Sequence, residues 1–326
     1  MIPEISVILP VHDNRDSLPE AINSIIDQSF TNWELIIVAD GSPSEVLALL
    51  DEIADQRVRI IRIQPSGISK ALNIGIRHAQ ADIIARMDAD DFCLPDRLKL
   101  QLQYLNNHPE AGLVACRVAY EGMGDGFRRY VEWQNGLISH DQMYGARFQD
   151  AVVAHPSVMF RKKLILQFGG YNEVNDEPED FELWLRFFRS GVKFAKLNEE
   201  LLIWSDSDGR LSRNSEAYGE LNFWKVKCRY LADKLKNKLK DVYVIGRGSR
   251  VNEKINMLEA HGIRVQKKVD VKAHPGNPSF MTYGEISSAN NGFYLSLVRD
   301  PDGRAQIKQF LDARGLRSDS DYLLLE

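Results

Sequence analysis

Ile83-Ile84-Ala85-Arg86-Met87-Asp88-Ala89-Asp90-Asp91 is a short apolar run that ends in three carboxylates. It reads as a buried strand with the acids at its carboxyl end. Three more strands precede it: residues 5–9, stopped by Pro10; residues 34–39, ended by Asp40-Gly41-Ser42-Pro43; and residues 58–63. Between them, Leu18, Ala21, Ile22, Ile25 and Ile26 share one helical face, and residues 68–79 form another helix. Ser42 or Ser44 is placed to cap a third helix whose first turn suits Pro43. This βαβαβαβ alternation predicts the α/β class, with a mostly parallel sheet covered on both faces. Such sheets take ligands at the carboxyl ends of their strands, where Asp40 and the 88–91 cluster both fall.

Beyond residue 91 the pattern loosens. Gly122, Gly124 and Gly126 bracket a loop, and residues 181–189 form an amphipathic helix behind the acidic run Asp176-Glu177-Pro178-Glu179-Asp180. A longer helix over 221–240 carries Leu221, Trp224, Cys228, Leu231, Leu235 and Leu239 on one stripe and seven basic residues against one acid, Asp233. Then βα alternation restarts, with strands over 242–245, 263–271, 293–298 and 322–325 and helices over 251–260 and 305–314. The expected organisation is a first domain over 1–215, a connecting basic amphipathic helix over 216–240 and a small Rossmann-like domain over 241–326.

Composition narrows the class. With 41 basic and 46 acidic residues among 326, the net charge of −5 argues against a nucleic-acid partner. No apolar run approaches the roughly 18 residues of a membrane span, and the start lacks the positive segment of a secretory signal. Three cysteines without CxxC spacing fit a reducing, cytoplasmic setting and no thiolate zinc site.

Two carboxylates as close as Asp88 and Asp90 repel unless a cation or hydrogen-bond donors compensate. A hard cation, Mg²⁺ or Mn²⁺, shared with substrate phosphates is one solution. An acidic turn capping the helix that begins near Pro95 is the other.

Taken in order, the motifs resemble family 2 glycosyltransferases of the GT-A fold, bacterial in type. Those motifs are Ile5–Val11, the run from Leu35 to Ser42, Gly67-Ile68-Ser69 with Ala71-Leu72-Asn73-Ile74-Gly75, and Arg86 to Asp91. Pro95-Asp96-Arg97-Leu98, His155 to Arg161, Gly169-Gly170-Tyr171-Asn172-Glu173 and Glu179 to Arg186 follow. The resemblance implies a mixed, mostly parallel sheet and inverting transfer of a sugar from a nucleotide diphosphate, UDP by preference, to an acceptor hydroxyl. It implies that Pro10, Val11 and Asp40 hold the base, that Asp88 contacts the ribose, and that Asp90 ligates Mn²⁺ or Mg²⁺. Asp180 would be the general base, with Glu179 beside the donor sugar or acceptor. The implied acceptor is a glycan or lipid-linked glycan of a bacterial surface polysaccharide, made at the inner face of the membrane. Three places depart from the family pattern: Ala39 replaces the first of two aspartates, His12 stands where Tyr is frequent, and Ser205 and Ser207 replace an Arg and a His. The last two changes predict a weaker grip on diphosphate, with Asp206, Asp208 and Arg210 as nearby substitutes. His155 is expected to be structural, bonded to backbone.

In the tail, Gly246-Arg247-Gly248-Ser249-Arg250-Val251 follows a strand and opens a helix, as a dinucleotide fingerprint does, with Asp270 at the ribose-binding place. Val251 replaces the third glycine, so a scaffold that modulates or oligomerises the enzyme is expected instead of an NAD site. The basic helix over 221–240 either packs its stripe or lies on an anionic membrane as a peripheral anchor. The rival functions are a catalytically weak sugar-nucleotide-binding scaffold and an NAD-dependent oxidoreductase.

Overall fold

The computed structural model describes residues 2–174, 176–206, 215–236, 240–272, 274–287 and 291–326. They form two compact units: Met1–Tyr144 with Ala151–Ala217, and Gly145–Asp150 with Tyr218–Glu326.

In the first unit, strands and helices alternate as β1 (Ile5–Val11), α1 (Leu18–Ile26), β2 (Trp33–Asp40), α2 (Ser44–Asp51), β3 (Val58–Ile63), α3 (Ile68–His78) and β4 (Ile83–Arg86). Then come β5 (Phe92–Cys93), α4 (Arg97–Asn107), β6 (Ala111–Glu121), α5 (Asp125–Gly136), α6 (His140–Ala146), β7 (Met159–Arg161), α7 (Lys163–Phe168), α8 (Glu179–Arg189) and β8 (Lys193–Ser205). The strands make one sheet in the order β3-β2-β1-β4-β7-β6-β8-β5. Pairings β1–β2, β1–β4, β2–β3 and β6–β8 are parallel, while β4–β7, β6–β7 and β5–β8 are antiparallel. The sheet is thus mixed and mostly parallel, as expected. β1 and β2 are buried almost throughout because their Ile, Val and Leu runs face helices on both sides. α3 lies close on β1, since a Cβ at Gly75 would come within 2.5 Å of Ile8 Cγ2. β6 and β8 were not foreseen, because neither alternates cleanly between apolar and polar residues.

Three local expectations change. Ser42 Oγ donates to Val11 O and Ser44 Oγ to Glu45, so neither caps α2, whose N-cap is Pro43. Gly126 lies inside α5, not in a loop. The 88–91 acids do not cap α4, whose N-cap is Asp96.

In the second unit, α9 (Glu220–Leu235) is followed by β9 (Asp241–Ile245), α10 (Ser249–Ala260), β10 (Val265–Asp270), β11 (Phe280–Thr282), β12 (Gly292–Ser296), α11 (Pro301–Ala313) and β13 (Tyr322–Leu324). The five strands are all parallel, in the order β11-β10-β9-β12-β13. Strand order reverses beside β9, as in a doubly wound sheet. The α9 stripe is buried at Trp224, Cys228, Leu231 and Leu235. Two of its cations are turned to partners within the unit: Lys227 Nζ donates to Gln149 O and Leu325 O, and Lys234 pairs with Asp319. Leu239 and Lys238 lie outside the described residues. Among the described residues no helix is long and apolar enough to cross a membrane.

Candidate active site

Parallel pairing brings the ends of β1, β2 and β4 to one edge of the first sheet. Pro10 and Val11 sit opposite Val38 and Ala39, and Ile8 sits opposite Arg86. Asp40, at the end of β2, is buried and already bonded: Ser66 N (2.7 Å) and Ser66 Oγ (3.0 Å) donate to Oδ1, and Gly67 N (2.8 Å) to Oδ2. It therefore anchors the turn that opens α3. Gly41 must be glycine there, because its φ is 62° and a Cβ would strike Pro65. His12 is exposed and its Nδ1 contacts Asp40 O at 2.7 Å.

β4 delivers the second group. Single oxygens of Asp88, Asp90 and Asp91 lie within 4.8 Å of one another. Like charges at that separation repel by roughly 3–4 kcal/mol per pair at an effective dielectric of about 20. Partial compensation is present: Asp88 pairs with Arg86, and the buried Asp91 accepts from Ser205 N at 2.9 Å. Asp91 is thereby tied to the end of β8, at the place where the family resemblance leads one to look for an arginine. An all-oxygen donor set of this kind suits a hard divalent cation that keeps part of its shell for other ligands. Asp206 receives the Tyr120 hydroxyl at 2.5 Å; Ser207, Asp208 and Arg210 lie outside the described residues.

α8 brings the third group. Its N-cap is Pro178, and Glu179, Asp180 and Glu182 fill the first turn, where the helix dipole favours carboxylates. Asp180 is half-buried, with Oδ1 accepting from Phe181 N at 2.6 Å, while Glu179 is buried. Leu183, Trp184 and Phe187 fix the helix in the core. The preceding turn is held by Asn73, which bonds both Tyr171 N (2.9 Å) and Tyr171 O (2.8 Å), and by Arg186, which donates to Phe168 O and Gly170 O.

Between the second and third groups lies His155. Among the described residues its ring is bonded to side chains and not to backbone, contrary to expectation: Nε2 meets the Tyr171 hydroxyl at 2.8 Å, and Nδ1 lies 3.5 Å from Glu179 Oε1. Burial lowers its pKa, helped by Arg86 and opposed by Glu179. Burial likewise pushes the Tyr171 phenol well above its ordinary range, with Glu179, Asp180 and Asp88 adding to the effect against Arg86. Asp88, Glu179 and Asp180 therefore share one electrostatic neighbourhood, whereas Asp40 is positioned separately at the β2 end.

Arg86, Arg97 and Ser17 were missed as contributors to this edge. Arg97 is fully buried and donates to Arg86 O at 2.7 Å, and Ser17 Oγ donates to Ala89 O at 3.0 Å. The available signal was Arg86 embedded in the apolar run Ile83-Ile84-Ala85-Arg86-Met87.

The edge of the second sheet is different. Asp270 ends β10 and accepts from His274 Nε2 at 3.0 Å, which holds its carboxyl below the ordinary range. Val251 is buried, and its Cγ2 lies 3.2 Å from where a Cβ on Gly246 would be. Val251 therefore packs against the turn at the position where the fingerprint has its third glycine, while nothing lies within 4 Å of a Cβ placed on Gly248.

Residues 6–168 match the family described as Glycosyl transferase family 2. The O-antigen biosynthesis glycosyltransferase WbnJ of Escherichia coli is 32% identical over 226 residues, covering 66% of this chain and 85% of its own. Among solved structures, Staphylococcus aureus TarS 1–349 in complex with UDP-GlcNAc superposes with a TM-score of 0.56 at 15% identity, over 79% of this chain and 71% of that one. The mannosyltransferase PcManGT of Pyrobaculum calidifontis, in complex with GDP-Man and Mn²⁺, gives 0.51 at 17% identity, over 80% and 69%.

Proposed function

Because the chain belongs to glycosyltransferase family 2, we propose that it moves a hexosyl group from UDP to an acceptor hydroxyl with inversion, in the building of a bacterial surface polysaccharide. The observation that carries this reading is the gathering of Asp88, Asp90 and Asp91 at the end of β4, within the electrostatic reach that also joins Asp88 to Glu179 and Asp180. A crowded acidic edge that is only partly compensated, with a half-buried carboxylate in the same neighbourhood, suits a diphosphate-bound cation and a proton acceptor.

Pro10 and Val11 line the base, and Asp40 orients it. A carboxylate offers about four lone-pair sites. Ser66 and Gly67 take three of them, two on Oδ1 and one on Oδ2, which leaves Oδ2 one site for the imide N–H of uracil. Asp88, steadied by Arg86, meets the ribose. Asp90 would hold Mn²⁺ or Mg²⁺, which when bound offsets charge on the departing diphosphate. Asp180 takes the proton of the acceptor hydroxyl as its oxygen attacks the anomeric carbon; the bond from that carbon to the diphosphate oxygen breaks on the opposite face. Glu179 orients sugar or acceptor. A titration of UDP, GDP and dTDP sugars with and without Mn²⁺, read by thermal shift, tests the reading. Metal-dependent stabilisation by a UDP sugar is expected, and no response to any sugar nucleotide overturns it.

A further inference from the structure

Arg86 closes β4 with its side chain only 2% exposed, an uncommon place for a guanidinium. Its backbone is fixed on three sides: Arg86 N donates to Val158 O at 3.0 Å, Met87 N to Ile8 O at 3.0 Å, and Arg97 Nη2 to Arg86 O. Its guanidinium pairs with Asp88, and its charge also acts on Tyr171, Glu179 and His155. From the opposite side, His155 turns one nitrogen to Glu179 and the other to Tyr171. In a neutral imidazole one nitrogen donates and the other accepts, and an ionised carboxylate can only accept. With the ring neutral and Glu179 ionised, this geometry puts the proton on Nδ1, toward Glu179, and has the Tyr171 hydroxyl donate to Nε2.

We propose that Arg86 and His155 are positioning residues: Arg86 fixes Asp88, and His155 fixes Glu179. The inference rests on the placement of Asp88 and Glu179 in the substrate site.

A double-mutant cycle tests the Arg86 half, with UDP plus Mn²⁺ as the calorimetric probe. Arg86→Lys keeps the charge but loses the planar fork, and is expected to weaken UDP about tenfold. In an Asp88→Asn background the same change is expected to cost less than about twofold, because its partner is gone. Equal losses in both backgrounds would show that Arg86 acts on the fold alone and would overturn the assignment. Nitrogen-15 NMR tests the His155 half without any substrate. The expected signal is that of a neutral ring protonated at Nδ1, displaced by Glu179→Gln and by Arg86→Lys. A ring protonated at Nε2, or one insensitive to both changes, overturns that half. A wild type that binds neither UDP nor GDP with Mn²⁺ breaks the functional reading and this inference with it. UDP binding with an additive cycle breaks the inference alone.

Discussion

The two units carry acids at the carboxyl ends of parallel strands, yet they treat them in opposite ways. In the first, Asp88, Asp90 and Asp91 crowd together beside Glu179 and Asp180, with Arg86 as the buried cation beneath them. In the second, the acids at the strand ends and beside them are matched by cations. Glu326 accepts from Trp224 Nε1 (2.7 Å), Arg299 Nε (2.6 Å) and Lys254, Glu220 pairs with Lys254 and Arg299, and Asp270 pairs with His274. A crowd of like charges stores repulsion that a cation relieves; a set of matched pairs has no such demand. Position at a sheet edge is thus a poor guide to a ligand site until the charge balance around it is known.

The largest test of this contrast is chemical. Positioned general bases contribute roughly 10²–10⁴-fold, so Asp180→Asn is expected to lower kcat by about that factor with donor affinity little changed. Glu179→Gln should do less. A fully active Asp180→Asn enzyme would reduce the α8 acids to a helix N-terminus, whose loss costs about 1 kcal/mol or less.

Binding gives the next largest effect. Asp90→Ala should abolish metal-dependent UDP binding in calorimetry, while Asp270→Asn in the second unit leaves it unchanged. Asp91→Ala should retain more UDP binding than Asp90→Ala but melt earlier, since the bond from the half-buried Ser205 N is lost, at a cost of about 1 kcal/mol. NAD at millimolar concentration should give no saturable shift. A micromolar dissociation constant would erase the distinction between the two edges.

A last test compares a buried lysine from each unit. Burial lowers the Lys196 amine to about 7, where it donates to Val152 O, and lowers Lys227 to about 8, opposed by Asp150 and Glu326. Each folded value lies below the unfolded one, so the folded chain sheds its proton first. Stability then rises with pH between the two values, by at most about 1.4 kcal/mol per pH unit for each group. Measured against Lys196→Met and Lys227→Met, the wild-type melting temperature should climb from about pH 7 for the first and about pH 8 for the second. A flat difference would show that these amines stay charged on their carbonyl partners.

The sequence by itself determined the alternating framework, the β1–β4 strands with their acids, the acidic start of α8 and the doubly wound tail. These depend on periodicity and on turn residues, which are local properties of the chain. It did not reveal β6 and β8, whose pairing partners are distant in sequence, nor the engagement of Asp40 with Ser66 and Gly67, nor the tie from Asp91 to Ser205. It gave His155 a backbone partner where folding supplies Tyr171 and Glu179. Only the tertiary structure decided which cation stands under which carboxylate. Charge compensation acts through space over a few ångströms in a low-dielectric interior, and Arg86 and Glu179 are brought within that range by the packing of the sheet and α8, with 92 positions of chain separating them.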